Sequence, residues 1–288
     1  MLQRDSVGYT IGAAVLLCVV CSMCVSVAAV ALKDQQSVNT TLDRQKNILD
    51  ATGLAYAETG EAAALLSRTQ VAELFKRIDE RLVNLETGEY DQSVVAAAYD
   101  ERKAAKDPKT SVPVLEPQFN PGVKQREKIA RVYFVRNDQG RIQQVVLPVY
   151  GKGLWSTMYG FLALKSDLKT VQGLSFYSHG ETPGLGGEVD NPNWKRQWEG
   201  RSIYDLDSGK IAIGVAKGPA QDQDRQYKVD GLSGATITAR GVENLLRYWI
   251  SDDGFSPFLK KLEAEIAANG EKVNQTEASV PDSKSEGT

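Results

Sequence analysis

The residues whose types and spacing could do chemistry gather in two glycine-rich stretches. The first is His179-Gly180-Glu181-Thr182-Pro183-Gly184-Leu185-Gly186-Gly187-Glu188, with four glycines in ten residues. Glycine lets a backbone come close to a planar or phosphate-bearing ligand, although the same composition suits an ordinary surface turn. On such a loop Glu181 and Glu188 are as readily solvated carboxylates as an acid–base pair, which ranks acid–base enzymes low. The second stretch is Asp230-Gly231-Leu232-Ser233-Gly234-Ala235-Thr236-Ile237-Thr238, which leads into a helix expected to begin near Ala239. Three hydroxyls and several small residues at a helix start suit an anion, because the first amides there are unpaired and the dipole is positive. An N-cap by Thr238 after a tight turn explains the same residues equally well.

The surrounding sequence supplies elements that would position these stretches. Ile129 to Val135 and Ile142 to Val149, joined by Asn137-Asp138-Gln139-Gly140, form an expected hairpin. Gly160 to Leu164, Val171 to Tyr177 and Ile211 to Ala216 are further strand candidates. Val242, Leu245, Leu246, Trp249 and Ile250 mark one helix, and Phe255, Phe258, Leu259, Leu262 and Ile266 a second, with Pro257 near its first turn. Upstream, Val71, Leu74, Phe75, Ile78 and Leu82 recur at helical spacing, so residues 35–85 read as a helical neck. The stretch from Asp91 to Val123, with Pro108, Pro113, Pro117 and Pro121, reads as an extended connection.

Composition removes several classes of function. The net charge of −3 gives no overall attraction to a phosphate backbone, so nucleic acid is not an expected partner. All three cysteines (Cys18, Cys21, Cys24) lie near the amino terminus, which excludes a disulfide framework or a thiolate metal site downstream, and the single His179 cannot build a metal site by itself. Their spacing lacks a fourth ligand for an iron–sulfur cluster and fits small apolar residues on a helix. From Ser6 to Leu32 the chain runs for 27 residues without a charge, long enough for one transmembrane helix and longer than the apolar part of a signal peptide. The basic residues flanking it, Arg4 before and Lys33, Arg44 and Lys46 after, favour a cytoplasmic downstream side by count alone.

Asp230-x-x-Ser233-Gly234-Ala235-Thr236 resembles the flavinylation motif of the FMN-binding domain family, in which the last threonine carries FMN through a phosphoester. Glu181-Thr182-Pro183-Gly184-Leu185-Gly186 and Gly151-Lys152-Gly153-Leu154-Trp155 resemble two further segments of that domain. Val25 to Gln36 and Lys46-Asn47-Ile48-Leu49 are similar to the C-subunit branch of the sodium-translocating NADH:quinone reductases. The resemblance spans about residues 7–265 and implies an α+β fold: a single N-terminal transmembrane helix, a helical segment and a mixed α+β FMN-binding domain. The expected divisions are 1–33 for the anchor, 34–125 for the neck and connection, 126–268 for the flavin domain and 269–288 for a disordered tail.

The resemblance further implies an electron-carrying subunit of a six-subunit pump in the bacterial inner membrane, which takes electrons from NADH to ubiquinone and exports sodium. Its flavin domain would be periplasmic, and a separate flavin transferase would attach covalent FMN at Thr236. Ser233, Gly234 and Ala235 would shape the turn, Asp230 would act on the phosphate or metal side during transfer, and Thr182, Gly184, Leu185 and Trp155 would touch the flavin. No catalytic residue and no resident metal are implied. The G subunit of the related ion-translocating electron transport complex and a flavin-free membrane-anchored interaction module are the competing readings.

Overall fold

The computed structural model describes residues 7–115 and 117–278. Contacts divide the chain into two compact units, Met1–Arg44 and Gln45–Thr288. The first unit is carried by α1 (Val7–Ala51), whose charge-free part is exposed throughout, including the free thiols of Cys18, Cys21 and Cys24. Among the described residues α1 is the one helix long and apolar enough to cross a membrane.

In the second unit the end of α1 leads through α2 (Leu54–Thr59) to α3 (Arg68–Phe75), β1 (Ile78–Asn84), α4 (Glu101–Ala104), β2 (Ser111–Pro113) and β3 (Gln125–Glu127). The main strands follow as β4 (Ile129–Arg136), β5 (Ile142–Lys152), β6 (Thr157–Lys165) and β7 (Val171–Ser178), then α5 (Pro192–Arg196), β8 (Gly214–Val215), β9 (Lys228–Val229), α6 (Thr236–Ile250) and α7 (Ser256–Ala278). One antiparallel sheet has the order β1-β4-β5-β6-β7, while β2-β3 and the parallel β8-β9 form separate two-stranded pairs.

The expected hairpin is β4-β5, and its turn is local chemistry. Asn137 Oδ1 accepts from the amides of Gln139 and Arg141 at 3.0 and 2.9 Å, and Gly140 takes a positive φ of 76°. Alternation then sorts β4: Ala130, Val132 and Phe134 enter the main core, and Tyr133 faces the other side, where it meets Phe75 and Phe161 edge-on. On the core face α6 lies very close to β5. A Cβ on Gly241 would stand 2.4 Å from the Lys152 carbonyl oxygen, and Trp249 Nε1 donates to the Tyr150 carbonyl at 2.7 Å. Trp249, Phe255 and Phe258 are essentially fully buried beneath the sheet, each stabilising the fold by roughly 2–3 kcal/mol.

The other face is covered by the end of α1. Ser175 Oγ donates to Asn47 and Asp50, Lys195 pairs with Asp50 at 2.5 Å, and Gln144 donates to the Thr52 carbonyl. The Pro-rich connection is held down by Arg131, which is buried, pairs with Glu80 and Glu101 at 2.8 and 3.2 Å, and donates to the carbonyls of Ala96 and Tyr99. Removing one partner of such a buried pair costs about 3–5 kcal/mol.

Several sequence expectations change. The helical stripe from Val71 stops at Phe75, and Ile78 and Leu82 belong to β1, paired with Val135 and Arg131 of β4. Ile211 to Ala216 yields only the two residues of β8. The expected tail is helical as far as Ala278; residues 279–288 lie outside the described residues.

Glu127 generates a pH prediction. It is 3 % exposed and accepts from the Tyr150 hydroxyl at 2.6 Å. Burial, outweighing that bond, pushes its carboxyl up to about 7. The folded state therefore holds a proton that the unfolded chain releases near pH 4.5, so this contribution is greatest in acid and is lost as pH rises towards 7. Glu127→Gln in the detergent-solubilised chain should match the wild type near pH 4 and exceed its stability by up to ~3 kcal/mol at pH 8, measured by denaturant unfolding. A gap independent of pH would contradict this.

Candidate functional site

The Glu181 carboxylate ties three separated segments together. It is 5 % exposed and accepts from the amides of Leu154, Trp155 and Ser156 at 3.1, 3.0 and 3.2 Å and from Thr238 Oγ1 at 2.6 Å. Burial alone would raise its pKa, but the Thr238 hydroxyl and the three amides outweigh it and hold the group below the ordinary carboxylate range. Two glycines make room for the arrangement. A Cβ on Gly153 would lie 2.5 Å from Glu181 Oε1, and one on Gly186 would lie 2.6 Å from Thr238 Oγ1. From the other side the Glu181 amide donates to His179 Nδ1 at 3.2 Å, so the proton of the neutral ring sits on Nε2, facing Asp190 Oδ2 at 2.8 Å.

Helix α6 begins at Thr236, earlier than expected, and Thr238 is not its cap. Thr238 is buried inside the first turn with its hydroxyl turned to Glu181, and the N-cap residue is Ala235, which has no side-chain oxygen to offer. The first amides of α6 thus lack the capping oxygen that most helix starts provide. Thr236, the first helical residue, is exposed, and its hydroxyl makes no hydrogen bond among the described residues.

The other expected site residues fall into two groups. Ser233 and Gly234 are exposed in the turn before Ala235; Gly234 has a φ of +69°, and a Cβ there would meet Leu185 Cδ2 at 2.9 Å, so the two glycine-rich stretches touch. Thr182 is exposed and its carbonyl accepts from the amides of Leu185 and Gly187, which closes the loop around Gly184 at its positive φ of 75°. Leu154, Trp155, Leu185 and Ile237 leave 42, 66, 44 and 59 % of their surfaces open, which is apolar surface carried by all three segments. Asp230 stands apart: its Oδ1 accepts from the Ala220 amide at 2.7 Å and its carbonyl from Trp194 Nε1 at 2.8 Å, so its side chain anchors the loop before β9. No cluster of three or more metal-ligating side chains occurs among the described residues.

Thr236 also lines a cavity of about 620 Å³ between α6 and the loop after β8, with Thr236, Ala239, Arg240 and Arg247 on the helix side and Lys217 and Lys228 opposite.

Residues 153–251, which contain all of this geometry except its flanks, match the FMN-binding domain family. The chain is 45% identical over 265 residues to the C subunit of the Na(+)-translocating NADH-quinone reductase of Pseudomonas aeruginosa, covering 91% of this chain and 98% of that one. It is 43% identical over 268 residues to the C subunit of Yersinia pestis, covering 93 and 97%. The chain belongs to the family of Na(+)-translocating NADH-quinone reductase C subunits. Among solved structures, NqrC from Shewanella oneidensis is similar with a TM-score of 0.66 and 37% identity over 77% of this chain and 99% of that one. The C subunit from Parabacteroides distasonis follows with a TM-score of 0.59 and 27% identity over 79 and 96%.

For a chain of this family the donor set fits an FMN phosphate. Bare amides at an uncapped helix start accept an anion, a free hydroxyl stands at the first position, and apolar side chains flank it. Sequence reasoning misses Glu181, which reads there as a solvated carboxylate. Thr238 at the buried side of the helix start is the available signal, since a buried hydroxyl needs an acceptor.

Glu181 therefore governs the order of the site. In Glu181→Ala the amides of residues 154–156 should exchange hydrogen much faster and stability should fall by roughly 2–4 kcal/mol, with Thr238→Val costing about 1 kcal/mol. Because the folded carboxyl is held low, the wild-type protection should persist at neutral pH and be lost as pH falls through the acid range below about 4.5. Unchanged exchange at 154–156 in Glu181→Ala would remove this carboxylate from its role.

Proposed function

We propose that this chain is an electron-carrying subunit of a sodium-translocating NADH:ubiquinone oxidoreductase and that it holds FMN by a phosphoester to Thr236. The observation that carries the reading is the helix start itself. Of the three hydroxyls, Thr238 is buried and spent on Glu181, whereas Thr236 is free, exposed and placed at a helix terminus without a cap. An esterified phosphate there would take the capping role that Ala235 leaves open, and the positive end of the dipole favours its charge. Ser233 is also free, but it lies in the turn before the helix, and the resemblance of Asp230 to Thr236 selects the last residue of the motif.

FMN, when bound, supplies the redox chemistry; the protein supplies attachment, orientation and partial shielding from water. Glu181 fixes the relative positions of the 153–156, 181–187 and 233–238 segments, so Leu154, Trp155, Leu185 and Ile237 offer an apolar seat that needs no reorganisation. Exposure of that seat suits a carrier, because electrons must enter and leave through an accessible edge. Gly184 and Thr182 shape the loop of the seat, and Ser233, Gly234 and Ala235 shape the turn. The hydrogen bonds of Asp230 support an anchoring role for it.

The chain would work beside its partners in an assembly of six subunits, anchored by α1 in the bacterial inner membrane with the flavin domain on the periplasmic side, after a flavin transferase has loaded it. The relatives and solved structures named as C subunits favour this over the G-subunit and flavin-free readings.

Co-expressed with its flavin transferase, the wild-type chain should gain the mass of FMN less one water and fluoresce after denaturing electrophoresis. Thr236→Ala should lose both signals and Ser233→Ala should keep them. Thr238→Val should load less well, because it releases Glu181, but still covalently. Covalent flavin in Thr236→Ala would refute the assignment.

A further inference from the structure

We infer that Arg240 is the counter-ion of the phosphate at Thr236, holding it on the cavity side of α6 while the apolar seat of Trp155 and Leu185 is left to the uncharged ring; this rests on the phosphoester reading above. The cavity beside α6 is lined by four cations, Lys217, Lys228, Arg240 and Arg247, and two of them are already matched. Lys228 pairs with Asp224 at 3.2 Å, and Arg247 pairs with Glu243 at 3.0 Å. Glu243 is further engaged by the Val215 amide at 3.0 Å. Arg240 and Lys217 have no acidic partner among the described residues, so the cavity carries an excess of positive charge.

Register distinguishes the two. Thr236 and Arg240 both line the cavity and stand four residues apart on one helix, the spacing at which side chains lie one above the other on the same face. Lys217 belongs to a loop, where its position is not fixed by the helix that bears the hydroxyl. A guanidinium suits a phosphodiester, because its fork of donors can engage both free oxygens at once. Thr236 lines this charged cavity, and the segments that Glu181 joins to the start of its helix carry the exposed apolar side chains of Leu154, Trp155 and Leu185. A flavin phosphoester has the same polarity, an anionic phosphate and an uncharged ring system.

The experiment is a loading cycle on the full chain in detergent. Wild type, Arg240→Gln and Arg240→Lys are each produced with and without the flavin transferase, intact mass reports loading, and Tm is measured at low and high salt. In the wild type loading should raise Tm, and the rise should shrink with salt. In Arg240→Gln the rise should fall by half or more and lose its salt dependence, and Arg240→Lys should restore part of it. An equal rise in wild type and Arg240→Gln, in chains whose mass shows loading, overturns the role of Arg240 and leaves the phosphoester reading standing. A wild type that gains no FMN mass overturns both.

Discussion

A single carboxylate with four donors underlies the site. Glu181 is taken out of water, at a cost that would ordinarily neutralise it, and keeps its charge because three consecutive amides and the Thr238 hydroxyl converge on it. Those donors come from two segments distant in sequence from Glu181, the turn before β6 and the first turn of α6. Closing them on one point determines where the first residue of α6 stands. The constraint also explains the small residues: Gly153 and Gly186 leave the space that any larger residue would need to take from the carboxylate.

Thr238, spent on that anchor, cannot cap its own helix. The helix start is left with Ala235 at the cap and a free hydroxyl at Thr236, an arrangement that costs about 1 kcal/mol relative to a side-chain cap and leaves donors open. Local conflict of this kind is where a fold gives up stability for a ligand, and an anion at this point resolves it. Behind it α6 lies against β5 at the close approach Gly241 allows and buries Trp249 and Leu245 completely.

Much of this order is legible in the sequence where the signals are local. The β4-β5 hairpin follows from strand alternation and an Asn-Asp-Gln-Gly turn, and α7 from Ser256-Pro257. The differences arise where distant pairing decides the outcome. Ile78 and Leu82 continue a helical spacing, yet soon after Phe75 the chain pairs with β4, and Glu80 in that strand meets Arg131. Spacing within one segment carries no information about a partner some fifty residues away. Thr238 illustrates the same limit, because a hydroxyl before an apolar helical run is a good cap until a buried carboxylate from another loop claims it. The motif ending in Thr236, by contrast, can be read without the fold, and the fold adds the reason why that hydroxyl, and not Thr238, is free.

Whether Thr236 carries the flavin is tested most directly by fragmentation of one peptide. Trypsin cleaving after Lys228 and Arg240 releases residues 229–240, which contain Ser233, Thr236 and Thr238 together. In tandem mass spectrometry of the loaded wild-type chain, amino-terminal fragments through Ala235 should be unmodified, those through Thr236 should carry the flavin phosphate, and carboxy-terminal fragments from Ile237 should be unmodified. Flavin phosphate on fragments ending at Ser233, or on those beginning at Ile237, would contradict the account.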